Sequence, residues 1–248
     1  MSGLLIAEYI LSQMKAKKTL PKNGALVTTI VSSNLAQAIS KEYGIEFIET
    51  LTGFKYIGEK IRQFETNGSN TFLFGFEESY GCLVGTHARD KDSIVAVMML
   101  CEAAAYYADK GLTLWDQMVN IYEKYGYYKE TIATFTLKGA DGAEKIQEIM
   151  NSVRESTPTK IGDNTVVEFR DYKLDKVINM KTKKESKTGL PTSNVLYFDL
   201  GNGAWCCVRP SGTEPKIKLY MGVKGKSFKD SETKLNKLRQ AMIKLVEA

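Results

Sequence analysis

From residue 25 onward, short β-branched runs take turns with segments of helical spacing. ALVTTIV (residues 25–31) leads into Ser32-Ser33-Asn34, good capping residues, and a helix follows to Tyr43, where Gly44 ends it. A strand over 45–49, a turn at Thr52-Gly53, a helix over 54–64 and a third strand over 71–76 repeat the rhythm. A strongly apolar helix over 93–110 closes at Gly111, a further helix over 114–125 closes at Gly126, and a helix over 4–17 precedes them all. Strands exchanged with helices predict a layered α/β/α domain, because each helix must bury its apolar stripe against a sheet.

The second half keeps a different rhythm. Strands are expected over 131–137, 166–171, 194–200, 205–208 and 217–223, with helices over 144–154 and from 228 to the end; Gly201-Asn202-Gly203 between two of the strands is a hairpin signal. This predicts a smaller α+β domain with an antiparallel sheet, so the fold class is α/β followed by α+β. The boundary is set at residues 1–129 and 130–248, and 248 residues suffice for each part to bury its own core.

Hydrophobic residues make up 43% and charged residues 25%, a globular balance, and no apolar run approaches the roughly 18 residues of a membrane span. The opening residues lack a signal peptide, and Cys82, Cys101, Cys206 and Cys207 have no zinc-site or disulfide-framework spacing, so reduced thiols in a cytoplasmic setting are expected. The net charge of +5 is spread through mixed-sign segments, and the basic run at 181–187 contains a glutamate and reads as a solvated loop. Neither nucleic acid nor membrane is expected as a partner; an anionic small molecule fits the mild positive bias.

Three stretches carry chemistry. GFEESYG (residues 75–81) sets Glu77, Glu78 and Ser79 just past a strand, where open α/β sheets bind ligands, as does Thr52-Gly53-Phe54-Lys55 after the preceding strand. Carboxylates only accept, so with a hydroxyl they suit a ligand rich in hydroxyl donors, such as a sugar. The plain alternative is a solvated acidic loop. RPSGTEPKIK (residues 209–218) offers the Arg209 guanidinium, the Ser211 and Thr213 hydroxyls and backbone N–H groups around Gly212, a cradle for phosphate; an ordinary turn reads the same way. THARDKD (residues 86–92) holds the only histidine, His87, with Arg89 and Lys91. Asp92 is explained as a helix cap, while basic residues at a positive helix end ask for an anion. A lone histidine is more often structural than catalytic.

GFEESYGCLVGTHARDKD followed by an apolar helix, and RPSGTEPK more than a hundred residues later, resembles the α-D-phosphohexomutase family, most closely its bacterial phosphoglucomutases, over nearly the whole chain as the family's third and fourth domains. The resemblance implies that Glu77 and Ser79 bind sugar hydroxyls, with Glu78 less central. It further implies that Gly53, Phe54 and Lys55 form a sugar-recognition turn, and that Arg209, Ser211, Gly212 and Thr213 hold the non-reacting phosphate. Lys91 would assist proton transfer at the phosphoryl centre, with His87 and Arg89 as neighbours. The implied activity interconverts glucose 1-phosphate and glucose 6-phosphate through a phosphoserine, a magnesium ion and a glucose 1,6-bisphosphate intermediate.

The departures matter equally. The family's phosphoserine sits in a Ser-His-Asn type loop and its magnesium in a D-x-D-x-D loop, and this sequence contains neither. The expectation is a C-terminal part of a mutase that binds sugar phosphate, is inactive alone, holds no metal, and has the missing N-terminal domains as its partner; Met1-Ser2-Gly3 running straight into a helix fits a cut at a domain boundary. Alternatives are a corresponding part of a phosphomannomutase or phosphopentomutase, and a non-catalytic sugar-phosphate-binding module.

Overall fold

The computed structural model describes residues 1–137, 141–212 and 214–247. The chain divides into two compact units, Met1–Gly126 and Tyr127–Ala248.

In the first unit, helix α1 (Ser2–Ala16) precedes β1 (Gly24–Thr29), α2 (Asn34–Tyr43), β2 (Glu46–Thr50), α3 (Phe54–Asn67), β3 (Thr71–Phe76), β4 (Cys82–Val84), α4 (Ser93–Ala108) and α5 (Leu114–Tyr125). The sheet order is β2-β1-β3-β4, with β1 parallel to both neighbours and β4 antiparallel to β3. Every residue of β1 is buried, so its alternating side chains need cover on both faces. Ala25 and Val27 pack with Phe54, Ile57, Ile61 and Phe64 of α3 on one face. The helices α1, α2, α4 and α5 pack among themselves, and Glu8 of α1, buried, accepts from Tyr43 Oη of α2 at 2.9 Å and Tyr125 Oη of α5 at 3.0 Å. Burial, and then the Glu8 carboxylate, push both phenols above their usual range. The apolar run predicted to form α4 is helical but only partly covered: Ala103 and Tyr107 are buried against Tyr9, while Ile94, Val97 and Met98 stand 78%, 60% and 56% exposed.

The second unit contains β5 (Tyr127–Thr136), α6 (Gly142–Glu155), β6 (Lys160–Ile161), β7 (Asn164–Thr165), β8 (Glu168–Asp171), β9 (Lys176–Asn179), β10 (Glu185–Ser186), β11 (Leu196–Gly201), β12 (Ala204–Pro210), β13 (Lys216–Gly225) and α7 (Phe228–Glu247). Its main sheet is seven-stranded and antiparallel, in the order β10-β9-β8-β11-β12-β13-β5. One core joins Leu196, Phe198, Cys206, Val208, Leu219 and Met221 of the sheet to Met150 of α6 and Leu238 and Met242 of α7. The fold class is therefore α/β followed by α+β with an antiparallel sheet. Tyr127 pairs with Gly225 of β13, so β5 belongs to the second unit from its first residue. The basic stretch read as a loop includes strand β10, which pairs with β9. Among the described residues no helix is long and apolar enough to cross a membrane, and all four cysteines are free thiols.

Candidate functional site

In the first unit the strand order makes the chain cross from one side of β1 to the other, so the carboxyl ends of β1 and β3 form the switch point at which open α/β sheets bind ligands. Thr29, the last residue of β1, donates from Oγ1 to Glu78 Oε2 at 2.7 Å and lies 3.0 Å from Ser32 Oγ. Glu78 is thereby committed to the protein. Glu77, by contrast, is only 8% exposed, yet among the described residues nothing donates a hydrogen bond to its carboxylate. No buried side-chain polar atom among the described residues lacks a hydrogen-bond partner, so the Glu77 oxygens, which accept none from the protein, are open to solvent at a strand end, where open α/β sheets bind ligands. Ser79 and Tyr80 form the exposed tip of the turn, which Glu77 N closes onto Gly81 O at 2.8 Å.

Gly81 makes this arrangement possible. A Cβ there would lie 2.8 Å from Glu77 Oε1 and 2.9 Å from Lys91 Cδ, so the two side chains pass each other only because position 81 has none. Lys91 reaches the Glu77 turn by its stem, while its Nζ rests 3.2 Å from Asp90 Oδ1 and is half-exposed.

The loop carrying Lys91 is held by its neighbours. Arg89 Nη2 meets both carboxylate oxygens of Glu65 at 2.7 and 2.6 Å, and its Nη1 donates to the carbonyls of Thr86 and Ala88. The anion that Arg89 asked for is therefore a carboxylate of α3, and the guanidinium serves as a latch. Asp92 caps α4, accepting from Ile94 N at 2.9 Å and Val95 N at 3.1 Å through Oδ1, while its Oδ2 lies 2.9 Å from His87 Nε2. The His87 contact foremost, then the Val95 N–H, holds the Asp92 carboxyl below its ordinary value. His87 thus braces a cap, which leaves its catalytic role without a geometric argument of its own.

Of the Gly53-Phe54-Lys55 turn, Gly53 is the N-cap of α3 with φ 118°, and Lys55 is exposed with Nζ 4.7 Å from the centre of the Tyr56 ring. Phe54 is 3% exposed within the core, so only its backbone remains for a ligand.

In the second unit Arg209 and Pro210 end β12, and the connection to β13 contains Ser211 and Gly212; Thr213 lies outside the described residues. Ser211 N donates to Lys216 O at 2.7 Å, pinching the loop, and Arg209 Nη1 reaches Tyr220 Oη at 3.5 Å. Arg209, Ser211 and Gly212 line a cavity of about 720 Å³ together with Ile146 and Gln147 of α6 and with Ser193 and Asn194. Sequence reading had no means of finding Thr29, Gln147 or Asn194. Each is joined to its site by contacts spanning tens of residues, and none sits in a telling motif.

Two family models match the chain: the phosphoglucomutase/phosphomannomutase alpha/beta/alpha domain III over residues 2–125, half the sequence, and the C-terminal domain of the same family over 159–239. The chain belongs to the phosphoglucomutase/phosphomannomutase family. Among curated relatives, the phosphoglucomutases of Staphylococcus aureus (strain MSSA476) and Staphylococcus epidermidis (strain ATCC 35984) are each 35% identical over 94% of this chain. Those matches take in only 41% and 42% of the relatives' own lengths. The fold is shared with Paramecium parafusin, a phosphoglucomutase in an open form (TM-score 0.67, 20% identity, 99% of this chain and 40% of that one). It is shared also with a family protein of Burkholderia thailandensis (TM-score 0.56, 15% identity, 98% of this chain and 41% of that one). The domain III match contains the Glu77 turn and the Lys91 loop, and the C-terminal match contains the Arg209 loop. Among the described residues no group of three or more His, Cys, Asp or Glu could hold a metal ion.

Proposed function

We propose that this chain is the sugar- and phosphate-holding portion of a phosphoglucomutase that interconverts glucose 1-phosphate and glucose 6-phosphate in the cytoplasm. The observation that carries the reading is Glu77, a largely covered residue at the end of β3 whose carboxylate oxygens stay open to solvent and accept no hydrogen bond from the described residues. Free cysteine thiols accord with a reducing compartment.

In this reading Glu77 and Ser79 accept and exchange hydrogen bonds with the sugar hydroxyls, and Gly53 and Lys55 flank them. Glu78, tied to Thr29, stiffens the turn. Arg209, Ser211, Gly212 and Thr213 hold the phosphate that is not reacting, the guanidinium supplying charge and a planar fork. A phosphoserine outside this sequence gives its phosphoryl group to the free hydroxyl of the hexose monophosphate; the bisphosphate reverses in the site, and its other phosphoryl returns to the serine. Because the two ends of the sugar take turns at the same phosphate loop, the gripping residues must tolerate both orientations, which a set of acceptors around shared hydroxyls does. In this reading Lys91, whose stem lies against the Glu77 turn, shuttles a proton or offsets phosphoryl charge.

Titration of the chain with glucose 1-phosphate, glucose 6-phosphate and their mannose and ribose counterparts, followed by amide chemical shifts, tests this. Shifts at both 77–81 and 209–212, largest for the glucose esters, are expected. Shifts confined to 209–212 and equal for all sugars would reduce the chain to a phosphate binder.

A further inference from the structure

The cavity behind the phosphate loop has a second wall, and its polar groups are oriented by a network rooted in the core. Asp171 is 1% exposed; its Oδ1 accepts from Lys173 N at 2.9 Å, and its Oδ2 accepts from Arg154 Nε at 2.6 Å. Arg154 then donates from Nη2 to Asn194 Oδ1 at 2.9 Å and from Nη1 to Asn151 Oδ1 at 3.4 Å. Since guanidinium can only donate, Asn194 has to turn its carbonyl oxygen toward Arg154 and its NH₂ away from it. One N–H of that group points to Gln147 Oε1 at 3.5 Å. Gln147 in turn spends Nε2 on Asn151 Oδ1 at 2.8 Å, so its own oxygen is fixed toward Asn194. The second Asn194 N–H is left for the cavity that Asn194 and Gln147 line along with Arg209, Ser211 and Gly212.

We propose that Asn194 is a further phosphate-contacting residue, donating from Nδ2 to an oxygen of the phosphate ester held by the Arg209 loop, and that Arg154 is the positioning residue that fixes its amide. The inference rests on the reading of that loop as a phosphate site. It gives the site something the loop alone lacks: a neutral donor on a separate element, locked in one orientation by a buried ion pair. A donor of fixed direction costs little ordering when ligand arrives and adds selectivity for tetrahedral oxyanions over planar carboxylates.

The experiment is titration of the full chain with inorganic phosphate and glucose 6-phosphate, read by the amide shifts of Ser211 and Gly212, for the parent chain and for Arg209→Ala, Asn194→Asp and Asn194→Leu. Asn194→Asp keeps an acceptor for Arg154 and so preserves the fold, but it turns a second carboxylate oxygen toward the phosphate. It is expected to weaken phosphate binding at least tenfold, and more than Asn194→Leu does. A purely structural Asn194 would give the reverse order, with leucine worse and aspartate harmless, and that order overturns the proposal. Arg154→Lys is expected to weaken binding about threefold in the parent chain and not at all in the Asn194→Leu background; equal losses in both remove Arg154 from the role. If the parent chain gives no shift at Ser211 or Gly212, the phosphate loop and Asn194 fall together. If Arg209→Ala loses binding while Asn194→Asp stays within twofold of the parent, Asn194 alone is excluded.

Discussion

Glu77 and Glu78 are neighbours of the same chemical type, and the structure gives them different work. Glu78 accepts from Thr29, whereas the Glu77 carboxylate, open to solvent, accepts from nothing among the described residues. A group kept for a ligand contributes little to the fold that keeps it. Glu77→Gln is therefore expected to leave the melting temperature unchanged or raise it, while sugar-phosphate affinity falls roughly tenfold, because a charge-assisted hydrogen bond becomes a neutral one. Calorimetric melting beside a glucose 6-phosphate titration separates these effects, and a lowered melting temperature with unaltered affinity would assign Glu77 to the scaffold. Gly81→Ala belongs to the same argument. The added methyl meets side-chain atoms of Glu77 and Lys91 rather than backbone, and these must shift, so binding should be lost while most of the stability is kept. The pair of carboxylates stood out in the sequence as a candidate site, but the tie of Glu78 to Thr29 was not legible, since Thr29 lies 49 residues from it.

Elements were legible where local chemistry sets them. Ser33 caps α2 and Gly44 ends it, Asp92 caps α4, and Thr113 opens α5 with a reciprocal capping box to Asp116, so starts and stops followed from side-chain acceptors and left-handed glycine. The short strand β4 and the β9–β10 hairpin were not legible, because their pairing is decided by partners and their sequences lack the alternation of a half-buried strand. The partner of Arg89 was not legible for the same reason: Glu65 sits on another element. Close approach between that element and the Arg89 loop is set by Gly58, where a Cβ would collide with the Arg89 carbonyl oxygen. Gly58→Ala is expected to cost about 1 to 2 kcal/mol, overpacking against backbone outweighing alanine's better helix propensity, and to displace the Lys91 loop. Urea denaturation measures the first effect and Lys91 amide shifts the second. The α4 cap is also where acid acts. Asp92 has its carboxyl held low chiefly by His87, so its contribution to stability is fully present above the unfolded-state value of about 4 and is lost as pH falls through the lower folded value. Asp92→Asn should melt earlier than the parent chain at pH 7, with the gap narrowing as pH drops below about 4.

At the scale of the molecule, the sequence itself decides how much chemistry to expect. Phosphoryl transfer is catalysed by positioning a nucleophile and neutralising charge on the moving group, and without either the barrier reverts toward that of a phosphate ester in water. This sequence carries no Ser-His-Asn loop and no D-x-D-x-D loop, and its described residues offer no metal-binding cluster. What we propose they offer is grip: an acceptor turn in one unit and, in the other, a guanidinium loop that lines a cavity. Each charge-assisted contact is worth roughly 1.5 to 3 kcal/mol before the freedom of a small, flexible ester is given up, and a handful of such contacts leaves a dissociation constant on the order of 1 mM. The purified chain is therefore expected to bind glucose 1-phosphate weakly and to form no glucose 6-phosphate from it, in a coupled dehydrogenase assay supplied with magnesium and glucose 1,6-bisphosphate. Turnover above the uncatalysed level that vanishes in Arg209→Ala would mean that a nucleophile lies among these residues, and Lys91 and His87 would return as the first side chains to substitute. Silence in that assay, with amide shifts at both loops, is the behaviour of a holder whose phosphoryl donor comes from elsewhere.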